Sequence, residues 1–199
     1  MSLPPDSEDL QHLAEHLALT FFDFPLFDGV RVSYKPLHNE ASTIAQLPDG
    51  KVAMFINDRP LLLTGLSHTT ALISLLLREL CVAFIILETG GTIGGFSIRR
   101  RWWDLGETGY GLGWLDLAGN AHERASKLLG INDLNLELRR KVRTEYIRSG
   151  LEPSRQQIDR FFGGEDPLMS DSGEGRIECR KNQLCVGCFC FVVLSEPLS

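Results

Sequence analysis

The chain lacks most of the short signatures that mark a catalytic site. It has no phosphate-cradling loop: Gly90-Gly91-Thr92-Ile93-Gly94-Gly95 has neither the lysine nor the spacing of a P-loop, and reads as a hinge. It has no G-x-S-x-G elbow, which excludes the strand-turn-helix serine nucleophile. Its first residues, MSLPPDSEDL, are acidic, without the basic start and apolar core of a secretory signal. The expected location is therefore intracellular, cytoplasmic or nuclear, with thiols reduced. Positive charge is in deficit: 20 Lys and Arg against 26 Asp and Glu leave a net charge of -6, which argues against nucleic-acid binding over the whole surface. Histidine is scarce, and the five residues form no ligand set. His12 and His16 have the i, i+4 spacing of a metal pair, but they sit beside Leu13 and Leu17 on the solvated flank of a helical stripe. His122 is expected to face solvent or to make a local hydrogen bond.

What the chain does have is core. Its 199 residues, 43% apolar and 23% charged, suffice for one domain of ordinary size. The most telling stretch is 69–87, TTALISLLLRELCVAFIIL, an apolar run broken once by Arg78-Glu79. It is nearly long enough to span a membrane. However, the charged pair falls at its middle, where each charge costs about 2.5–3.5 kcal/mol on insertion scales, and its flanks lack basic anchors. It reads as a buried core helix, and no membrane partner is expected. A charged pair inside such a helix needs compensation. Neighbours on a helix do not face each other, so the expected cation for Glu79 comes from elsewhere, with Arg99, Arg100 and Arg101 as candidates.

Periodicity supplies the remaining elements. After a cap at Asp6 or Ser7, Leu10, Leu13, Ala14, Leu17, Ala18 and Phe21 recur at threes and fours, the stripe of an amphipathic helix. Residues 29–35 alternate as a strand. Residues 43–47 and 51–56 read as two strands joined at Pro48-Asp49-Gly50, a strong turn signal. Residues 96–103 read as a further short strand. A helix over 114–129 carries Trp114, Leu117, Ala118, Ala121, Ala125, Leu128 and Leu129 on one face, with Gly130 placed for a C-terminal cap. Residues 134–148 repeat apolar side chains at fours, and Ser154 with Gln157 forms a capping box for a last short helix. Residues 164–178 read as a mobile acidic linker. The expected class is α+β: a small antiparallel or mixed sheet on the core helix, then a helical C-terminal half. The expected organisation is a domain over 1–163, the linker over 164–178 and a Cys-rich tail over 179–199.

The core helix carries one chemical signal. A histidine at 78 and another at 82 would make it read H-E-x-x-H, in which two zinc ligands lie one turn apart around a catalytic glutamate. Only Glu79 is present. Together with FFDFPLFDGVRVSY before it and ETGYGLGWLDLAGNAHERASKLLGI after it, the segment LISLLLRELCVAF resembles the SprT-like family of zincin metalloproteases over roughly residues 10 to 162. In that family two helix histidines and a third, in a T-G-H-G-type turn, bind zinc, and the glutamate activates the zinc-bound water. The resemblance implies a zincin-like core with ligand positions at Arg78, Val82 and Tyr110 and the base position at Glu79. None of the three ligand positions holds histidine. Arg78 is a permanent cation, Val82 has no donor atom, and Tyr110 is protonated near neutral pH. The expectation is a catalytically inactive, metalloprotease-like domain that binds or scaffolds an unidentified protein partner, with no metal at the zincin position.

Two other features carry alternatives. Cys179, Cys185, Cys188 and Cys190 include one pair at zinc-knuckle spacing, so zinc at the tail is a candidate cofactor, against a buried terminal strand with reduced thiols. Arg99, Arg100 and Arg101, followed by Trp102 and Trp103, are candidates for phosphate and base contacts to DNA, against a solvated strand edge. An active zinc-dependent peptidase and a nucleic-acid binder therefore stand as the competing classes.

Overall fold

The computed structural model describes residues 7–22, 29–38, 40–58, 66–88 and 105–169. The hinge at 90–95, the strand expected over 96–103, the Arg99–Trp103 cluster and the four tail cysteines lie outside these residues. Among the described residues the order is α1 (Ser7–Phe22), β1 (Val30–Lys35), β2 (Ser42–Gln46), β3 (Val52–Asn57), α2 (His68–Glu88), α3 (Leu112–Leu129), α4 (Leu138–Ser149) and α5 (Arg155–Phe162).

The strands form one mixed sheet in the order β1-β3-β2, so the class is α+β. The turn at Pro48-Asp49-Gly50 closes β2 and β3 into an antiparallel hairpin, with Gly50 at φ 83°. β1 runs parallel to β3, with Val30 opposite Val52. The two registers place Val32, Met54 and Ile44 in one row and Tyr34, Ile56 and Ser42 in the next, on the inward face. Among the described residues β1 is an edge strand, and α1 caps its outer side through Gln11: Oε1 accepts the Val32 N–H at 2.8 Å, and Nε2 donates to the Val30 carbonyl at 3.3 Å.

Helix α2 lies across this sheet with α1 and α3 beside it. It passes the length and hydropathy test for a membrane span, but 89% of its apolar window is buried inside the domain. A helix enclosed on all sides needs no polar face, which is why its sequence shows none. The α1 stripe buries Leu10, Ala14, Leu17, Ala18 and Phe21 as expected. α3 buries Trp114, Leu115, Ala118, Ala121 and Ala125, whereas Leu128 and Leu129 at its end are exposed. Arg124 ties α3 to the end of α1 by donating to the Phe21 carbonyl at 2.9 Å. Gly130 caps α3 at φ 65°, and the Ser154–Gln157 capping box opens α5.

Two boundaries differ from the sequence reading. The helix expected over 134–148 begins only at Leu138. Residues 131–137 lie outside any helix, and Leu134 and Leu136 are both buried with Asn135 exposed between them, a period of two that suits a strand-like run. Asn135 holds this path, accepting the Glu137 N–H on Oδ1 at 2.9 Å while its own N–H donates to Ser74 Oγ at 3.1 Å. The packed domain also continues past 163: Glu165 pairs with Arg139 and Leu168 packs on the core.

Leu76 is fully buried where α2 meets the rest of the core. Replacing it with alanine removes transfer energy and leaves a cavity, so Leu76→Ala is expected to cost about 2–5 kcal/mol in urea unfolding. A loss below about 1 kcal/mol would show that α2 is not enclosed as described.

Candidate functional site

The apolar run of α2 turns on one polar cluster at its middle. Arg78 is 4% exposed and Glu79 is wholly buried. Contrary to the sequence expectation, the partner of Glu79 is its neighbour: Arg78 Nε donates to Glu79 Oε1 at 3.0 Å. The argument from helix faces holds for Cβ directions, but it fails here because the long arginine side chain folds back to bring its guanidinium beside the next residue. Ser42 of β2 completes a triangle, donating to Glu79 Oε1 and accepting from Arg78 Nη2, both at 2.8 Å. Tyr110 Oη approaches the same Glu79 oxygen at 3.4 Å, and Trp114 Nε1 donates to the Arg78 carbonyl at 3.2 Å. Among the described residues each of these donors to the carboxylate reaches Oε1, and Oε2 of Glu79 is buried without a hydrogen-bond partner.

Three other segments close the cluster. The turn before α3 presents Tyr110, 2% exposed and edge-on to Trp114 with ring centroids 4.9 Å apart. This turn is clamped by Glu145 of α4, whose carboxylate accepts the Glu107 N–H at 2.8 Å, the Thr108 N–H at 2.9 Å and the Thr108 hydroxyl at 2.5 Å. Gly106 is required there: its φ is 67°, and an added Cβ would lie 2.2 Å from that carboxylate. From the far side Glu137 accepts from Arg78 Nη1 and, on its other oxygen, from Arg140 at 2.6 Å. Lys141 places its amine 4.2 Å from the Tyr110 ring centre, a cation–π contact.

The electrostatics follow from this geometry. Burial works against the Arg78 charge, but Glu79, Tyr110 and Glu137 outweigh it and hold the guanidinium firmly protonated. Burial, and then the Glu79 charge, push Tyr110 well above the usual tyrosine range. The same two causes raise Cys81, making it an inert core thiol rather than a nucleophile. Glu137 is opposed by burial, yet Arg78, Lys141 and Arg140 bring it below the usual carboxylate range. Burial, followed by repulsion from Arg78, brings Lys141 from 10.5 down to about 8.

Of the positions singled out in the sequence, Arg78, Glu79 and Tyr110 therefore meet in one cluster. Val82, one turn along α2, is 1% exposed within the apolar core. The four do not line an open cleft: they are enclosed. Zinc does not fit the three positions that the resemblance implies as ligands, because Arg78 is a guanidinium, Val82 a hydrocarbon and Tyr110 a protonated phenol. His12, His16 and His68 are exposed, and His122 shares a 3.1 Å hydrogen bond with the Leu134 carbonyl. Sequence reasoning missed Ser42, Glu137, Lys141 and Glu145. Each reaches the site from a distant segment, and no local pattern announces it. Compared with known proteins, the chain matches no family model, no curated protein and no solved structure.

Arg78→Met is expected to cost about 3–5 kcal/mol, because Glu79 is then buried without its cation. Arg78→Met with Glu79→Leu should recover most of that loss in a double-mutant cycle, and additive losses would show that the pair is not coupled. A second expectation concerns pH. An amine whose pKa falls on folding binds its proton less tightly in the native state, so stability rises as pH climbs from about 8 to 10.5. Lys141→Met should flatten that rise in urea unfolding. Parallel wild-type and variant profiles would contradict the placement of Lys141.

Proposed function

We propose that this chain is a catalytically inactive, SprT-like metalloprotease-like domain that acts as a binding or scaffold protein. The reading rests on the resemblance of the α2 and Tyr110 segments to that family and on one structural observation. Glu79, at the position of the general base, gives one oxygen to Arg78, Ser42 and Tyr110 inside the core. A general base must reach the proton it takes, and a carboxylate that is wholly buried and spent on three donors does not meet substrate. The arrangement instead supports rigidity, because the cluster joins β2, α2, the 105–111 turn and α4 at a single point. The resident Arg78 charge also opposes any dication brought to the same place.

The test is metal content with activity. Protein ending at Met169, which removes the tail cysteines as a source of metal, should carry no stoichiometric zinc. Its melting temperature should ignore chelators, and it should leave unfolded protein substrates intact. Arg78→His, Val82→His and Tyr110→His combined should introduce measurable zinc affinity if the zincin-like geometry is present. About one zinc per wild-type chain, with chelator-sensitive cleavage, would overturn the reading.

A further inference from the structure

Lys141 stands in the first turn of α4, one turn past Glu137, and its amine rests 4.2 Å from the centre of the buried Tyr110 ring. The side chain is half-buried, so it leaves the solvent without being sealed in the core as Arg78 and Glu79 are. Charged groups act on it from several elements. α2 presents Arg78 and Glu79, α4 itself presents Glu137 and Arg140, and Glu40, ahead of β2, feels the Lys141 charge. Two of these carboxylates are already drawn toward other donors. The Glu137 oxygens accept from Arg78 and Arg140, and Glu79 Oε1 accepts from Arg78, Ser42 and Tyr110. Lost hydration and then the Arg78 charge therefore outweigh the ring face and the carboxylates, and the amine is brought from 10.5 down to about 8. Desolvation beside a second cation is one of the ways in which a lysine becomes an activated nucleophile.

We propose that Lys141 is a covalent modification site whose amine is acylated by small acyl thioesters. The lone pair of the neutral amine attacks the thioester carbonyl carbon. A C–N bond forms, the C–S bond breaks, and the departing thiolate takes up the proton that the nitrogen gives up. The products are an Nε-acyl lysine and a free thiol, with nothing oxidised or reduced. The amide is uncharged, so Arg78 loses a like-charged neighbour and the Tyr110 ring loses its cation. The inference is independent of the binding reading above: zinc content decides that reading, and amine reactivity decides this one.

The experiment treats the full chain with S-acetyl-N-acetylcysteamine, a small acetyl thioester, near neutral pH. Mass spectrometry of proteolytic peptides reads the rate of acetylation at each lysine. At about pH 7.5 roughly a quarter of an amine that titrates near 8 is neutral, against roughly a thousandth of an ordinary lysine amine. Lower basicity and partial burial offset part of that advantage. Lys141 is therefore expected to react at least about tenfold faster than Lys35, Lys51 and Lys127 in the same sample. Its rate should reach half its plateau near pH 8 and then level off. In urea strong enough to unfold the chain, the excess rate at Lys141 should vanish, because a reactivity set by the fold is lost with the fold. A rate at Lys141 no faster than the three reference lysines overturns the proposal. So does a rate that is still climbing steeply above about pH 9.5, the range of an ordinary lysine amine, or one that is equal in folded and unfolded chain.

Discussion

The Arg78–Glu79 pair is the constraint around which the domain is arranged. Two charges inside an enclosed helix are each expensive, and their mutual attraction offsets that cost only if their remaining donors and acceptors are met. The neighbouring segments meet them one by one. β2 supplies Ser42, the 105–111 turn supplies Tyr110, α3 supplies Trp114 to the Arg78 carbonyl, and the N-terminus of α4 supplies Glu137. An apolar core alone would tolerate sliding of α2 along the sheet. A core with a polar pair at one point fixes a single register, because any shift strands a charge.

The fixing works at two removes. Tyr110 is useful only if its turn is held, and the turn is held by the Glu145 carboxylate, itself 2% exposed, collecting two backbone N–H groups and a hydroxyl. α4 therefore acts twice, through Glu137 at its N-cap and through Glu145 two turns later. It carries the two carboxylates that bracket the cluster, and Lys141 between them faces the Tyr110 ring.

The elements themselves were legible in the sequence. The three strands, α1, the enclosed α2 and the α5 capping box follow from periods of two and 3.6 and from turn chemistry, because those signals are local. The α2 reading rested on its missing polar face, and the fold shows why the face is missing. What was not legible depended on side-chain reach or on distant partners. Arg78 and Glu79 pair because an arginine side chain can double back, which helix-face arithmetic ignores. The start of α4 was placed too early because Leu134 and Leu138 fit a helical repeat as well as an extended one, and Asn135 decides between them through a hydrogen bond to Ser74 of α2. Glu145 looks in the sequence like one more charge interrupting a basic helix.

The mixed sheet carries a consequence for the order of assembly. β3 lies between a neighbour joined to it by a five-residue connection and another whose matching residue, Val30 for Val52, is far back along the chain. Closing the short loop is fast, whereas the parallel pairing must first meet the entropy of the long one. The β2–β3 ribbon is thus the natural early structure, and β1 is the last strand added. Until it arrives, one side of β3 offers unpaired amides to any extended chain nearby. The nascent domain is therefore most vulnerable to mispairing at the centre of its finished sheet, which the folded molecule hides completely.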